Sequence, residues 1–287
     1  MGIDSMEWAK RAFLAFFGAA VCAALVVLAL FQPSEILAAP RQRLLLTGSS
    51  TIAPLALSIA QRYEAAHIGV RIDVETGGSS RGIADAMRGT ADIGMASRKL
   101  KKEESGLVRY LIARDGLAMI GHSSNGVVGL SRGQVIDLYT GKITNWKTLG
   151  GSDSPVTIVN KAEGRGTLEV FLQFFGLDNR DISPDVIIGE NAQGIKTVAA
   201  NPTALGYVSI GAAEAAVAEG ATIKLLALDG VPADTTTLAQ GKYKLARDLI
   251  LVTRPGPSTL ATDFLAFATS HAVDDLIEKN FFVPPAR

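Results

Sequence analysis

Apolar positions along this chain keep two rhythms. Beyond residue 40, short unbroken apolar runs alternate with stretches in which apolar residues recur every three to four positions. The runs RLLLTG (43–48), GVRIDVETG (69–77), TADIGMAS (90–97), GLAMIGH (116–122), PVTIVN (155–160), ALGYVSI (204–210) and KLARDLILVT (244–253) read as strands. The periodic segments PLALSIAQRYEAAH (54–67), RGIADAMRG (81–89), LEVFLQFFG (168–176), GIKTVAANP (194–202) and STLATDFLAFATSH (258–271) read as helices. Strand followed by helix, repeated, predicts an α/β fold of parallel strands with crossover helices. Most of these strands run out into Gly, Ser or Thr, and ligands of open α/β sheets sit outside the carboxyl ends of the strands.

The N-terminus follows a different pattern. Lys10 and Arg11 precede an uncharged apolar stretch at 12–31, and EILAAP follows with Ala38 or Ala39 in position to end a removable peptide. Residues 1–39 therefore read as an export signal, and the twenty-residue stretch is also long enough to serve as an uncleaved membrane anchor. The valine directly before Cys22 argues against lipid attachment there. About 250 residues remain, more than one small core holds, so two lobes are expected.

Composition narrows the chemistry. Lys plus Arg and Asp plus Glu number 28 each, which gives no basic excess for nucleic acid. His67, His122 and His271 lie far apart and Cys22 is the only cysteine, so neither a metal-ligand spacing nor an internal disulfide exists. No G-x-x-x-x-G-K-[ST] phosphate loop occurs.

What remains is three glycine- and hydroxyl-rich turns, each between a strand and a helix: TGSSTIAP (47–54), TGGSSRG (76–82) and NKAEGRGT (160–167). A helix start leaves N–H groups without partners and carries partial positive charge, so it can receive an anion. Any one such turn is ordinarily just a capped helix start, but three in one chain point to shared anion capture. The second turn also fits G-x-S-x-G, with Ser80 as a nucleophile and His271 as a distant base. Against that reading, the segment before His271 has the pattern of a continuous helix.

In order and spacing, TGSSTIAPLALSIAQRYE, TGGSSRGIADAMRGTADIGMASRKL, LYTGKITNWKTLGG, NKAEGRGT and ALGYVSIG resemble the periplasmic phosphate-binding proteins, the substrate-binding subunits of phosphate ABC importers. The resemblance runs from about Leu44 to the C-terminus. It implies a class II periplasmic-binding-protein fold of two α/β lobes, 40–121 with 249–287 and 122–248, joined by two crossing strands and closing over one phosphate. By position it implies Ser50, Thr51 and the backbone of Ile52 from the first turn and Ser79 from the second. Ser97 and Arg98 follow the third strand, and Lys161, Arg165, Gly166 and Thr167 come from the loop of the second lobe. Lys161 stands where many relatives carry an arginine paired with an acidic neighbour, here Glu163. Ser97 stands where well-studied members place an aspartate that accepts the phosphate proton and repels sulfate, and Asp92 is a substitute candidate for that task. Trp146, in TGKITNW, is expected to be a packed aromatic.

The resemblance further implies a monomer that binds inorganic phosphate outside the cytoplasm without chemistry, cofactor or metal and delivers it to an ABC permease in the membrane. A site for another tetrahedral oxyanion (sulfate, molybdate or tungstate) and a membrane-anchored anion sensor are the alternatives.

Overall fold

The computed structural model describes residues 42–286 of the 287. The export-signal and anchor readings of residues 1–39 lie outside them. Among the described residues no helix is long and apolar enough to cross a membrane.

Strand β1 (Gln42–Gly48) buries Leu44 and Leu46 and feeds helix α1 (Ala53–Ala66). The same step repeats through β2 (Val70–Thr76), α2 (Ser79–Arg88) and β3 (Ile93–Ala96). β1 lies between β2 and β3, parallel to both. Gly48 ends β1 at φ +132°, and a Cβ there would come within 2.3 Å of the Met95 carbonyl oxygen. Only glycine lets this strand end so close to β3.

The next strand is longer than GLAMIGH suggested. β4 runs from Val108 to His122. Then come β5 (Gly129–Leu130), α3 (Arg132–Tyr139), β6 (Thr157–Lys161), α4 (Gly166–Phe175), β7 (Val186–Ile188), α5 (Asn191–Ala200), β8 (Ala204–Ser209), α6 (Ile210–Ala218), β9 (Ile223–Leu228) and α7 (Thr235–Ala239). β10 (Ala246–Thr253), α8 (Thr259–Ala268) and α9 (Asp274–Lys279) close the chain. The strand order is β2-β1-β3-β10-β4-β8-β6-β7, with β9 pairing β4 and β5.

The sheet is mixed, not wholly parallel as the rhythm suggested. β10 runs antiparallel to both β3 and β4, and β4 runs antiparallel to β8 and β9. The rhythm misleads because it is local: it shows each strand and the helix beside it, whereas the direction of β4 and β10 is set by pairing with strands far away in the chain, at the middle of the sheet.

Among the described residues three hydrophobic clusters lie along this sheet, the smallest around Ile83, Leu107 and Val252 and the other two much larger. Of the larger two, one draws on Leu44, Ile59, Ile93, Ile112, Leu249 and Phe264, the other on Met119, Leu130, Trp146, Phe171, Tyr207 and Leu245. β4 passes from the first to the second between Ala113 and Leu117, and the chain returns between Leu245 and Leu249. Trp146 is packed as expected, 1% exposed, with its indole N–H donated to the Thr203 carbonyl at 2.9 Å.

Candidate functional site

The helix starts divide into two kinds. α3, α6, α7 and α8 each begin with a side-chain cap, in which Ser131, Ser209, Asp234 and Ser258 accept from the backbone N–H of Gln134, Ala212, Thr237 and Ala261. α1, α2 and α4 begin at Ile52, Gly78 and Arg165 with no side-chain cap, as does the short α9 at Val273, whereas at α5 the Gln193 side chain accepts from the backbone N–H groups of Gly189 and Glu190 at 2.8 and 3.0 Å. The hydroxyls of the first turn therefore do not cap α1, contrary to the ordinary expectation for such a turn. Instead, the Ser49 carbonyl accepts from the N–H groups of Ile52 and Ala53.

The starts of α1, α2, α4 and α5 share one small cavity, lined by Ser49, Ser50 and Thr51 before α1, Gly78 and Ser79 at α2, Arg165, Gly166 and Thr167 at α4, and Gly189 and Asn191 at α5. Ser97, just past β3, completes the lining. No carboxylate lines it. Its free volume is about 10 Å³, near the room one water needs, because its own hydroxyls bond across it. Ser49 Oγ donates to Ser97 Oγ at 3.0 Å, and Ser79 Oγ lies 3.3 Å from Ser97 Oγ. An entering anion exchanges these hydroxyl contacts for bonds to its own oxygens. A groove of about 1090 Å³ meets the cavity at Ser50, Thr51 and Asn191 and provides a way in.

Of the residues expected from the sequence, Ser50, Thr51, Ser79, Ser97, Arg165, Gly166 and Thr167 line the cavity. Ile52, Arg98 and Lys161 do not. Ile52 is fully buried, and its N–H is already donated to Ser49 at 3.1 Å. The Arg98 guanidinium is taken up by Glu104, with bonds of 2.7 and 2.8 Å, and Arg98 Nε lies 3.0 Å from Glu169 on α4. Glu169 also receives Ser80 Oγ at 2.9 Å and Lys101 Nζ at 3.0 Å. Glu169 thus ties α4 to the α2 start and the segment after β3.

Ser80 is occupied there, and His271 is exposed in the 3₁₀ turn His271–Val273, 2.8 Å from Asp274. The segment before His271 ends as helix at Ala268, so it is not a continuous helix, yet no Ser–His pair forms. Asp92 accepts from the Leu45 backbone N–H at 2.8 Å and ties β1 down. Glu163 accepts from Asn179 instead of pairing Lys161, and Arg165 pairs with Glu190 at 2.6 Å.

The strongest group at the site is one the sequence patterns passed over. Arg247 on β10 faces Asp115 on β4 directly across the antiparallel ladder, with both side chains fully buried. Asp115 Oδ2 accepts from Arg247 Nε at 3.0 Å and from Nη2 at 2.7 Å. The far edge of the guanidinium donates to Thr167 Oγ1 at 2.9 Å and to Thr51 Oγ1 at 3.2 Å. A buried charge needs a partner, and Asp115 supplies it while leaving the guanidinium aimed at hydroxyls from α1 and α4.

Asn191 was also unforeseen. Its Nδ2 donates to Thr51 Oγ1 at 3.1 Å, and its Oδ1 accepts from Lys161 Nζ at 3.1 Å. Burial, reinforced by the Arg247 charge and opposed by Glu190, lowers the Lys161 ammonium to about 7.

Glycine is obligatory where these loops touch. A Cβ on Gly166 would lie 2.4 Å from Ser79 Oγ, and one on Gly78, at φ +96°, would lie 2.6 Å from the Gly164 carbonyl oxygen.

A family model described as a PBP superfamily domain matches residues 33–272. The phosphate-binding protein PstS of Bacillus subtilis (strain 168) is 28% identical over 246 residues, covering 84% of this chain and 80% of that one. Among solved structures, a phosphate ABC transporter substrate-binding protein with bound phosphate from Clostridium perfringens superposes with a TM-score of 0.80 at 32% identity, covering 85% of this chain and all of that one. An ABC-type phosphate transport receptor from Vibrio cholerae gives a TM-score of 0.71 at 28% identity, covering 84% of this chain and all of that one.

Proposed function

The chain belongs to the PBP superfamily, and from that premise we propose that it binds inorganic phosphate at the cavity of uncapped helix starts and hands it to an ABC import permease. The relatives named for phosphate binding and phosphate ABC transport support the ligand and the transport role. The observation that supports the reading is the convergence of three uncapped helix starts, at α1, α2 and α4, on a cavity without a carboxylate, with the buried guanidinium of Arg247 behind it and bonded to the Thr51 and Thr167 hydroxyls of its lining. A site rich in fixed donors, charge and N-terminal dipoles stabilises a multiply charged oxyanion, and the walls hold no group placed for bond breaking.

In this reading the segments carrying the two larger hydrophobic clusters act as two lobes hinged on β4 and β10. The anion joins the Ser50, Thr51 and Ser79 side to the Arg165–Thr167 loop and Asn191. Glu169 latches the closed form through Arg98, Lys101 and Ser80. Ser97 and its neighbouring serines take the part of the missing aspartate, because a hydroxyl accepts the proton of hydrogen phosphate as well as donating. The protein works outside the cytoplasm as a monomer, carried there by the N-terminal segment.

The test is calorimetric titration of anion-stripped protein with inorganic phosphate, alone and in excess sulfate. One phosphate per chain, still bound in the presence of sulfate, is the expected result. Absence of phosphate binding, or tighter binding of sulfate, overturns the assignment.

A further inference from the structure

Lys161, like Arg247, lies behind the cavity lining and not in it, but no ion pair holds it among the described residues. It is 3% exposed on β6, and among the described residues its ammonium has one hydrogen-bond contact, with Asn191 Oδ1 at 3.1 Å. An ammonium has three protons to donate. Its charged surroundings are mostly cationic: Arg247 from β10 and Arg165 from the loop before α4 oppose its charge, while Glu190 at the start of α5 favours it. Arg247 and Arg165 already have carboxylate partners in Asp115 and Glu190. Tyr207 on the adjoining β8 is neutral, its hydroxyl donated to Asn160 at 2.6 Å. The protein's own groups thus leave Lys161 short of a counter-charge that an anion in the cavity would supply.

Asn191 connects the two. Its amide has one accepting and one donating end, and only the donating end is useful to an anion. A charged Lys161 can only donate, so it holds Oδ1 toward itself and turns Nδ2 toward Thr51 and the cavity, as the distances of 3.1 Å on both sides describe. A neutral amine can also accept, and the orientation is then no longer enforced.

Resting on the phosphate-binding reading above, we infer that Lys161 is a positioning residue that takes up a proton as the anion binds: charged, it fixes the Asn191 amide N–H toward the anion and balances the anion's charge. The proton comes from solvent onto the amine lone pair, one per anion, and no other bond is made or broken. Lysine suits this role because burial shifts its proton affinity readily, whereas an arginine stays charged. The direction is fixed: with the lysine near 7 before binding, uptake is absent well below that pH, approaches one proton between it and the raised midpoint of the bound state, and falls away again above that midpoint.

The test observes Lys161 itself in the wild-type protein. Heteronuclear NMR of the Lys161 Nζ–Cε pair is followed from pH 5.5 to 10 with and without saturating inorganic phosphate. Phosphate titrations by calorimetry at pH 5.5 and 8.5, in buffers of different ionisation heat, then compare wild type with Lys161→Arg. The lysine midpoint should rise by about two and a half pH units when phosphate is bound, enough to keep the bound lysine charged at pH 8.5. Wild type should take up nearly one proton more than Lys161→Arg at pH 8.5 and none more at pH 5.5. A midpoint that phosphate leaves unmoved, in protein that binds phosphate, overturns this inference and leaves the functional reading intact. Failure of the wild type to bind phosphate at either pH overturns both. If Lys161→Arg does not fold, the wild-type midpoints decide alone.

Discussion

The starts of α3, α6, α7 and α8 and those of α1, α2 and α4 are built from similar small polar residues and glycines, yet they do opposite things. In the first set a serine or aspartate caps the helix. In the second the hydroxyls point at a common cavity and at one another. A side-chain cap is worth about 1 kcal/mol, so each uncapped start forgoes stability that an anion can return on binding. The lesson is that stability and function separate by where the hydroxyl points, not by which residue supplies it.

The largest expected effect comes from removing the charge that the uncapped starts surround. Arg247→Met should weaken phosphate binding at least a hundredfold by calorimetry. It should also cost about 3–5 kcal/mol in denaturant unfolding, because Asp115 is left buried without its partner. Combining it with Asp115→Asn should recover much of the stability and none of the affinity; recovered affinity would remove Arg247 from the site.

Next in size is Gly166→Ala. Its methyl would press on Ser79 Oγ, 2.4 Å away, and hold the α2 and α4 starts apart. Overpacking of this kind costs about 1–3 kcal/mol. Phosphate affinity should fall by tenfold or more, while Gly176→Ala, where a Cβ meets nothing but φ is +70°, should cost stability and leave affinity unchanged in the same titration.

Thr167→Ala deletes a hydroxyl that Arg247 holds at 2.9 Å on the cavity wall. A hydrogen bond to a charged group is worth about 1.5–3 kcal/mol, so the melting temperature should fall as the buried guanidinium loses an acceptor, and affinity should fall roughly tenfold or more because the anion loses the same hydroxyl. The smallest effect sharpens the comparison from the other side. Ser258→Ala removes the cap of α8, should lower stability by about 1 kcal/mol and should leave the phosphate dissociation constant where it was. A fall in affinity there would mean that the two kinds of helix start are not distinct.

Much of this arrangement was legible in the chain. Strand-to-helix alternation located β1, α1, β2, α2, β6, α4 and β8, because each carries its own periodicity. The glycine- and serine-rich turns pointed to Ser50, Thr51, Ser79, Gly166 and Thr167 for the same local reason. What escaped needed pairing across distant segments. The first half of β4, VRYLIARD, looks too charged for a central strand, and its Asp115 is tolerable only because Arg247 stands opposite it in β10. The visible hint was an arginine in KLARDLILVT at a position alternating with Leu245 and Leu249, where an inward-facing residue is expected. Asn191 escaped because the three-residue strand β7 is too short to show a period, so α5 was read as beginning at Gly194. Arg98 and Lys161 were drawn to the cavity by their position in the chain, but their side chains reach Glu104 and Glu169, and Asn191, instead.

The most direct measurement of the central claim is a crystal structure of the protein grown with phosphate. The account predicts one phosphate whose oxygens lie within hydrogen-bond distance of backbone N–H groups at the starts of α1, α2 and α4 and of the Arg247 guanidinium. A phosphate seated elsewhere, with Thr51, Ser79 and Thr167 still bonded only to protein groups, would contradict it.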